Sequence, residues 1–193
     1  MKYLLNFFVE FQKLISKNVT IEGFDFDKIK KIGFLDCGYK KEKIKCVCVI
    51  YNKQRNEIEK IDEIIDKAIF PYVPTFLFLR EAPYMIELIE KNSADLYVID
   101  GHGLSHPRKA GIATVIGVLK EISTIGIAKN FLYGKIEDNK IFVDGTQVGI
   151  KFKEYYISIG NKVNIETLEK FIKFFNYEYP WPMKEADKIS KII

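Results

Sequence analysis

The chain has 193 residues, 48% hydrophobic and 14% aromatic, which suits one compact domain (1–193) and excludes a disordered chain. Its net charge of +4 permits an anionic partner without demanding one. No apolar run approaches the roughly 20 residues that span a membrane, and the N-terminus is interrupted at Asn6 and Glu10, too early for a signal peptide. A cytoplasmic protein with no membrane partner is expected.

In chain order, residues 3–15 place Leu4, Phe7, Phe8, Phe11, Leu14 and Ile15 at helical spacing and predict an amphipathic helix. Residues 31–39 and 44–52 are strand-like, and the short connection between them predicts a hairpin. Cys46 and Cys48 alternate, so both thiols point to one face. With Cys37 they are too few for a disulfide framework and lack the partners of a zinc site, so reduced core thiols are expected. Residues 57–70 predict a third strand running into a loop. The two prolines of Pro71-Tyr72-Val73-Pro74 then exclude helix interior.

Residues 76–91 are rich in helix formers, with a second start allowed at Pro83. Residues 96–100 form a short apolar run ending in Asp100, the pattern of a buried strand. A helix (110–122), a buried strand (124–128) and one or two hairpins (135–152) follow. Asn164 is a good N-cap for a helix over 165–175. Pro180-Trp181-Pro182 breaks the chain before a final helix over 183–193. This order predicts an α/β fold: a mixed central sheet flanked by helices, compatible with a ribonuclease-H-like layout.

Asp36 and Asp100 each close an apolar run, the place where open α/β sheets bind ligands, so neighbouring strands could let them share a divalent cation. Glu81 and Asp187 could complete a one- or two-metal site for phosphodiester hydrolysis. Spacing alone leaves the bland alternative open, because an acid after a strand is often a turn residue or a helix cap. His102 and His106 lie in the glycine-bearing loop after Asp100, and Lys129 ends the strand expected beside it.

Taken together these segments resemble the endonuclease V family, the deoxyinosine-directed repair nucleases. The most specific match is Asp100-Gly-His-Gly-Leu-Ser-His-Pro-Arg108 with Gly111-Ile-Ala113 after it. Pro71-Tyr-Val-Pro74 with Arg80-Glu81, Gly126-Ile-Ala-Lys129 and Asp36 before Tyr39 follow the family's order over about 32–187. The resemblance implies a ribonuclease-H-like fold. It also implies Asp36, Glu81 and Asp100 around Mg²⁺, with Mn²⁺ as a substitute, and Asp187, His106 and Lys129 as supporting catalytic residues. The implied reaction is hydrolysis of the second phosphodiester bond 3′ to deoxyinosine in DNA, leaving a 5′-phosphate.

Pro71, Tyr72, Val73 and Pro74 then resemble the family's strand-separating wedge. Thr75, Leu77, Gly101, Gly103, Ile112 and Leu132 match its base pocket, where glycines let backbone approach an extruded base. Thr75 stands where many relatives have glycine, and Gly38 where they have a small hydroxyl residue. The loop expected at 157–164 lacks the family's proline and histidine. A monomer is expected. Two other readings fit the same residues: an inosine-directed endoribonuclease, and a module that binds deaminated or branched nucleic acid without cutting. The second has no need of the acidic cluster.

Overall fold

The computed structural model describes residues 2–193. Its element order is α1 (Lys2–Lys17), β1 (Lys31–Lys40), β2 (Lys43–Asn52), β3 (Glu57–Lys67), α2 (Leu77–Lys91), β4 (Leu96–Asp100) and α3 (Ile112–Lys120). Then come β5 (Thr124–Ala128), β6 (Lys135–Glu137), β7 (Lys140–Val143), β8 (Thr146–Phe152), β9 (Tyr155–Asn161), α4 (Ile165–Phe174) and α5 (Trp181–Ser190). All nine strands join one sheet in the order β3-β2-β1-β4-β5-β9-β8-β7-β6. β4 runs parallel to both β1 and β5, and the other pairs are antiparallel. Among the described residues no helix is long and apolar enough to cross a membrane.

Strand alternation sends side chains to two cores. Phe34, Val98, Ile127 and Ile157 pack under Leu168 and Phe171 of α4 and Met183 and Ala186 of α5. Leu35, Ile99 and Cys48 face the other way, under Met85 and Leu88 of α2, Ile116 of α3 and Ile15 of α1. The central strands are covered on both faces, which is why they read as unbroken apolar runs rather than as alternation. Asn164 caps α4 as expected, its side-chain oxygen accepting from Thr167 N–H at 2.9 Å. Pro83 lies inside a single continuous α2.

Four expectations are corrected. Cys37 and Cys46 face each other in the β1–β2 register, with Cα atoms 4.2 Å apart, and are disulfide-bonded; only Cys48 is a free, buried thiol. The same-face pairing of Cys46 with Cys48 along one strand could not reveal the cross-strand partner. Residues 157–164, expected as a loop, contain most of β9, which pairs with both β5 and β8. The inward face of α1 is Phe8, Phe11, Gln12 and Ile15, while Phe7 and Leu14 are exposed. Finally, β1 continues to Lys40, so Asp36 lies within its strand instead of closing it.

Candidate active site

The β1–β4 register aligns Leu35 with Ile99, so Asp36 and Asp100, one residue further on, are neighbours across parallel strands. Both point to the α4–α5 face, by parity with Phe34 and Val98. Asp36 is buried, and Ser190 Oγ of α5 donates to its Oδ2. Burial first, then the hydrogen-bonding contact and charge of Asp36, hold the Asp100 carboxyl well above the usual carboxylate range; Lys129 partly offsets this. Glu81 reaches the same edge from α2. Burial pushes its carboxyl up to about 8, against the lowering effect of Tyr39, whose hydroxyl donates to Oε1 at 2.6 Å.

Lys129 follows β5 and shares the face of Asp36 and Asp100. Its Nζ donates to Asp187 Oδ1 at 2.6 Å, and Lys191 Nζ donates to the other oxygen at 2.6 Å. Burial alone would lower the Lys129 ammonium, but Asp187, Asp100 and Asp36 outweigh it and keep the charge on. Asp187 is placed by α5, whose C-terminal end rests on Gly38: a Cβ there would come within 2.1 Å of Ser190 O. Gly38, where the resemblance led one to expect a hydroxyl residue, is therefore a close-approach site, and Ser190 brings a hydroxyl to Asp36 from α5.

Could these residues hold a cation? Among the described residues no three Asp, Glu, His or Cys side chains converge into a ready-made cage. The donor chemistry nevertheless fits a hard divalent ion. A buried carboxylate on β1 and a half-buried one on β4 repel one another, a third is close enough to feel Asp36, and carboxylate oxygens are what Mg²⁺ or Mn²⁺ takes. Tyr179, which sequence reading passed over, joins this edge. Its ring stacks on Tyr155 at 4.4 Å and lies 5.7 Å from Lys129 Nζ. Its buried hydroxyl has no hydrogen-bond partner, and after burial the charges of Asp100, Asp36 and Asp187 hold it protonated.

The loop from Asp100 to α3 rides on the sheet. Gly103 N–H donates to Ser158 Oγ at 2.9 Å, Leu104 N–H donates to Ile159 O at 2.7 Å, and a Cβ on Gly126 would strike the Gly103 nitrogen at 2.5 Å. Beside this loop lies a cavity of 160 Å³. That is smaller than the roughly 300 Å³ of the lesser small-molecule sites, and suits a single heterocycle better than a nucleotide. Thr75, Leu77, Ile112 and Leu132, expected as pocket residues, line it, and so does Tyr72, expected in the wedge. Phe78, His102, Ala110, Asn130 and Phe131 line it too, and only His102 among them stood out in the sequence. Gly101, at φ +139°, backs the wall behind Ile112 and Leu77; Gly103, Pro71, Val73 and Pro74 do not line it. Tyr72 is 66% exposed, held out by its prolines.

His106 also lines the cavity, and both of its nitrogens are in use. Nδ1 accepts from Arg108 N–H at 3.1 Å, so the proton sits on Nε2, which donates to Thr75 O at 3.1 Å. Burial, ahead of the Arg108 charge, lowers the imidazole to about 4, so it is neutral at physiological pH. In this neutral state His106 ties the wedge loop to the Asp100 loop.

A mixed sheet of this order with neighbouring acids on β1 and β4 is a ribonuclease-H-like fold. The solved structures agree. Human endonuclease V (catalytic domain) superposes with a TM-score of 0.86 over 98% of this chain and 95% of that one, at 20% identity. Endonuclease V of Ciona intestinalis, in complex with a 24mer DNA containing an inosine followed by a ribo-adenosine, gives a TM-score of 0.88 over 98% and 97%, at 20% identity. In sequence, endonuclease V of Sulfurisphaera tokodaii is 44% identical over 98% of this chain and 95% of its own length. The sequence model of the family described as Endonuclease V matches residues 13–188. The chain belongs to the endonuclease V family, and its chemistry is that of an endonuclease.

Proposed function

We propose that this protein is a metal-dependent DNA-repair endonuclease. It hydrolyses the second phosphodiester bond 3′ to deoxyinosine and leaves a 5′-phosphate, acting as a cytoplasmic monomer. The observation that carries this reading is the shared loop: residues 100–112 begin at the Asp36–Asp100 carboxylate pair and go on to wall a cavity sized for one base. The inosine-containing DNA bound by the Ciona protein supports the same substrate class.

Asp36, Asp100 and Glu81 would hold Mg²⁺ or Mn²⁺, which supplies Lewis-acid activation of water and offsets charge on the phosphate. Lys129, kept cationic by its carboxylate neighbours, stabilises charge developing on phosphate oxygens. Asp187 orients the ammonium from one side. Tyr179, whose buried O–H has no partner within the protein and which lies beside Lys129, is placed to donate to the same phosphate. Tyr72 fills the gap that the extruded base leaves, and Thr75, Leu77, Ile112 and Leu132 receive that base, with Gly101 behind them.

The test is cleavage of a deoxyinosine duplex with Mg²⁺, Mn²⁺ or EDTA. Wild type should cut in either metal and not in EDTA, and Asp100→Ala should be at least about a hundredfold slower. Equal cleavage by both proteins, or none in either metal, would overturn the reading. A second reading, inosine-directed RNA cleavage, draws on the ribo-adenosine after the inosine in the Ciona complex. The 2′-hydroxyl would decide it, so matched DNA, RNA and chimeric strands belong in the same assay.

A further inference from the structure

Gln12 is fully buried on α1, on a face otherwise made of Phe8, Phe11 and Ile15. A polar amide in that position is costly unless it is fully engaged. It is engaged at both ends. Nε2 donates to Ala110 O at 2.8 Å and to Thr75 O at 3.1 Å, and Oε1 accepts from Arg108 Nε at 2.6 Å. Only this orientation of the amide works, because two carbonyls need donors and a guanidinium needs an acceptor. Arg108 continues the network, with Nη2 donating to Thr75 O at 3.0 Å and to Thr75 Oγ1 at 2.6 Å.

Thr75 and Ala110 both line the base-sized cavity and come from different segments, the wedge loop and the approach to α3. Thr75 has φ +68°, a left-handed conformation that a β-branched residue keeps only when its surroundings hold it. Its carbonyl takes three donors, from Gln12, His106 and Arg108. One buried amide thus bridges the two segments that bound the cavity.

We propose that Gln12 is a positioning residue that sets the aperture of the base pocket, so that α1 contributes to discrimination between hypoxanthine and adenine. This rests on the deoxyinosine reading. Discrimination by hydrogen-bonding edges depends on a close fit, so a pocket whose two walls are no longer held together loses part of it. The variants are Gln12→Met, similar in length and apolar like its neighbours, and Gln12→Glu, which keeps an acceptor for Arg108 but offers no N–H to either carbonyl.

The measurement is the affinity of the full chain for a duplex carrying one deoxyinosine against the same duplex with deoxyadenosine, in EDTA, beside a thermal melt of each protein. Wild type should prefer the deoxyinosine duplex. Either folded variant should lose that preference by about tenfold, while affinity for the deoxyadenosine duplex moves by less than about twofold. If Gln12→Met fails to fold, Gln12→Glu is read alone. A preference that survives in the folded variant, or an equal weakening for both duplexes, overturns the positioning role. A wild type without any preference overturns the deoxyinosine reading itself.

Discussion

Thr75→Gly installs the glycine that the motif resemblance led one to expect, and the structure predicts that it destabilises this protein. Three effects compete. Releasing a threonine from φ +68° gains about 1 kcal/mol. Added freedom of the unfolded chain takes back about 0.5–1 kcal/mol. The remaining effect is loss of the hydroxyl that accepts from Arg108 Nη2 at 2.6 Å, a bond to a charged donor. Such bonds contribute about 1.5–3 kcal/mol, and a half-buried pair belongs at the lower end. The net is a loss of about 1.5 kcal/mol, or a melting temperature lower by roughly 3–6 °C for a chain of this length. Thr75→Ser keeps the hydroxyl and should melt close to wild type. Thr75→Val keeps the backbone strain without the hydroxyl and should be the least stable. Urea unfolding at constant slope is the assay, and a Thr75→Val protein as stable as wild type would refute the reasoning.

Lys129→Met should lower the single-turnover cleavage rate by about a hundredfold or more, with little change in DNA affinity, because one cation aimed at the phosphate is lost. Tyr179→Phe removes only the unpartnered Oη; it should leave stability unchanged and slow single-turnover cleavage by about tenfold, and an unaltered rate would remove Tyr179 from the chemistry. Burial holds His106 near 4 when folded against an ordinary 6.5, so the unfolded chain takes the proton first. The stability that the neutral ring contributes is complete above pH 6.5 and lost as pH falls toward 4. The gap between wild type and His106→Gln should therefore narrow by about 2 kcal/mol between pH 7.5 and 5, with carboxylate titrations cancelling in the comparison. Parallel pH curves for the two proteins would contradict a buried neutral imidazole.

The motif resemblance led one to expect a glycine at 75 and a hydroxyl at 38, and the structure gives each departure its own partner. Threonine at 75 gives Arg108 an acceptor that glycine lacks, and glycine at 38 lets the end of α5 approach until Ser190 meets Asp36. Each substitution makes sense only together with a partner far away in the chain. Arg108 lies 33 residues from Thr75, and Ser190 lies 154 from Asp36.

Local signals carried much of the fold. Apolar runs long enough to be buried on both faces, the Asn164 cap and the Pro71–Pro74 turn depend on neighbours within a few residues, so the order of strands and helices was legible. Asp100 at the end of β4 and Lys129 just past β5 were legible for the same reason, since a polar residue closing an apolar run marks a strand end. What depended on register and on packing between distant segments was not. Residues 155–161 had a period-two pattern in Tyr155, Ile157 and Ile159, yet only pairing with β5 makes them an inner strand. The Cys37–Cys46 bond needs the β1–β2 register, and the helical spacing of α1 fits more than one inward face, so only docking against Phe78 and Arg108 picks the one that buries Gln12. Periodicity reports that a face is buried; which polar groups it buries, and with whom, is decided by the tertiary structure, because a buried donor finds its acceptor in space and not along the chain.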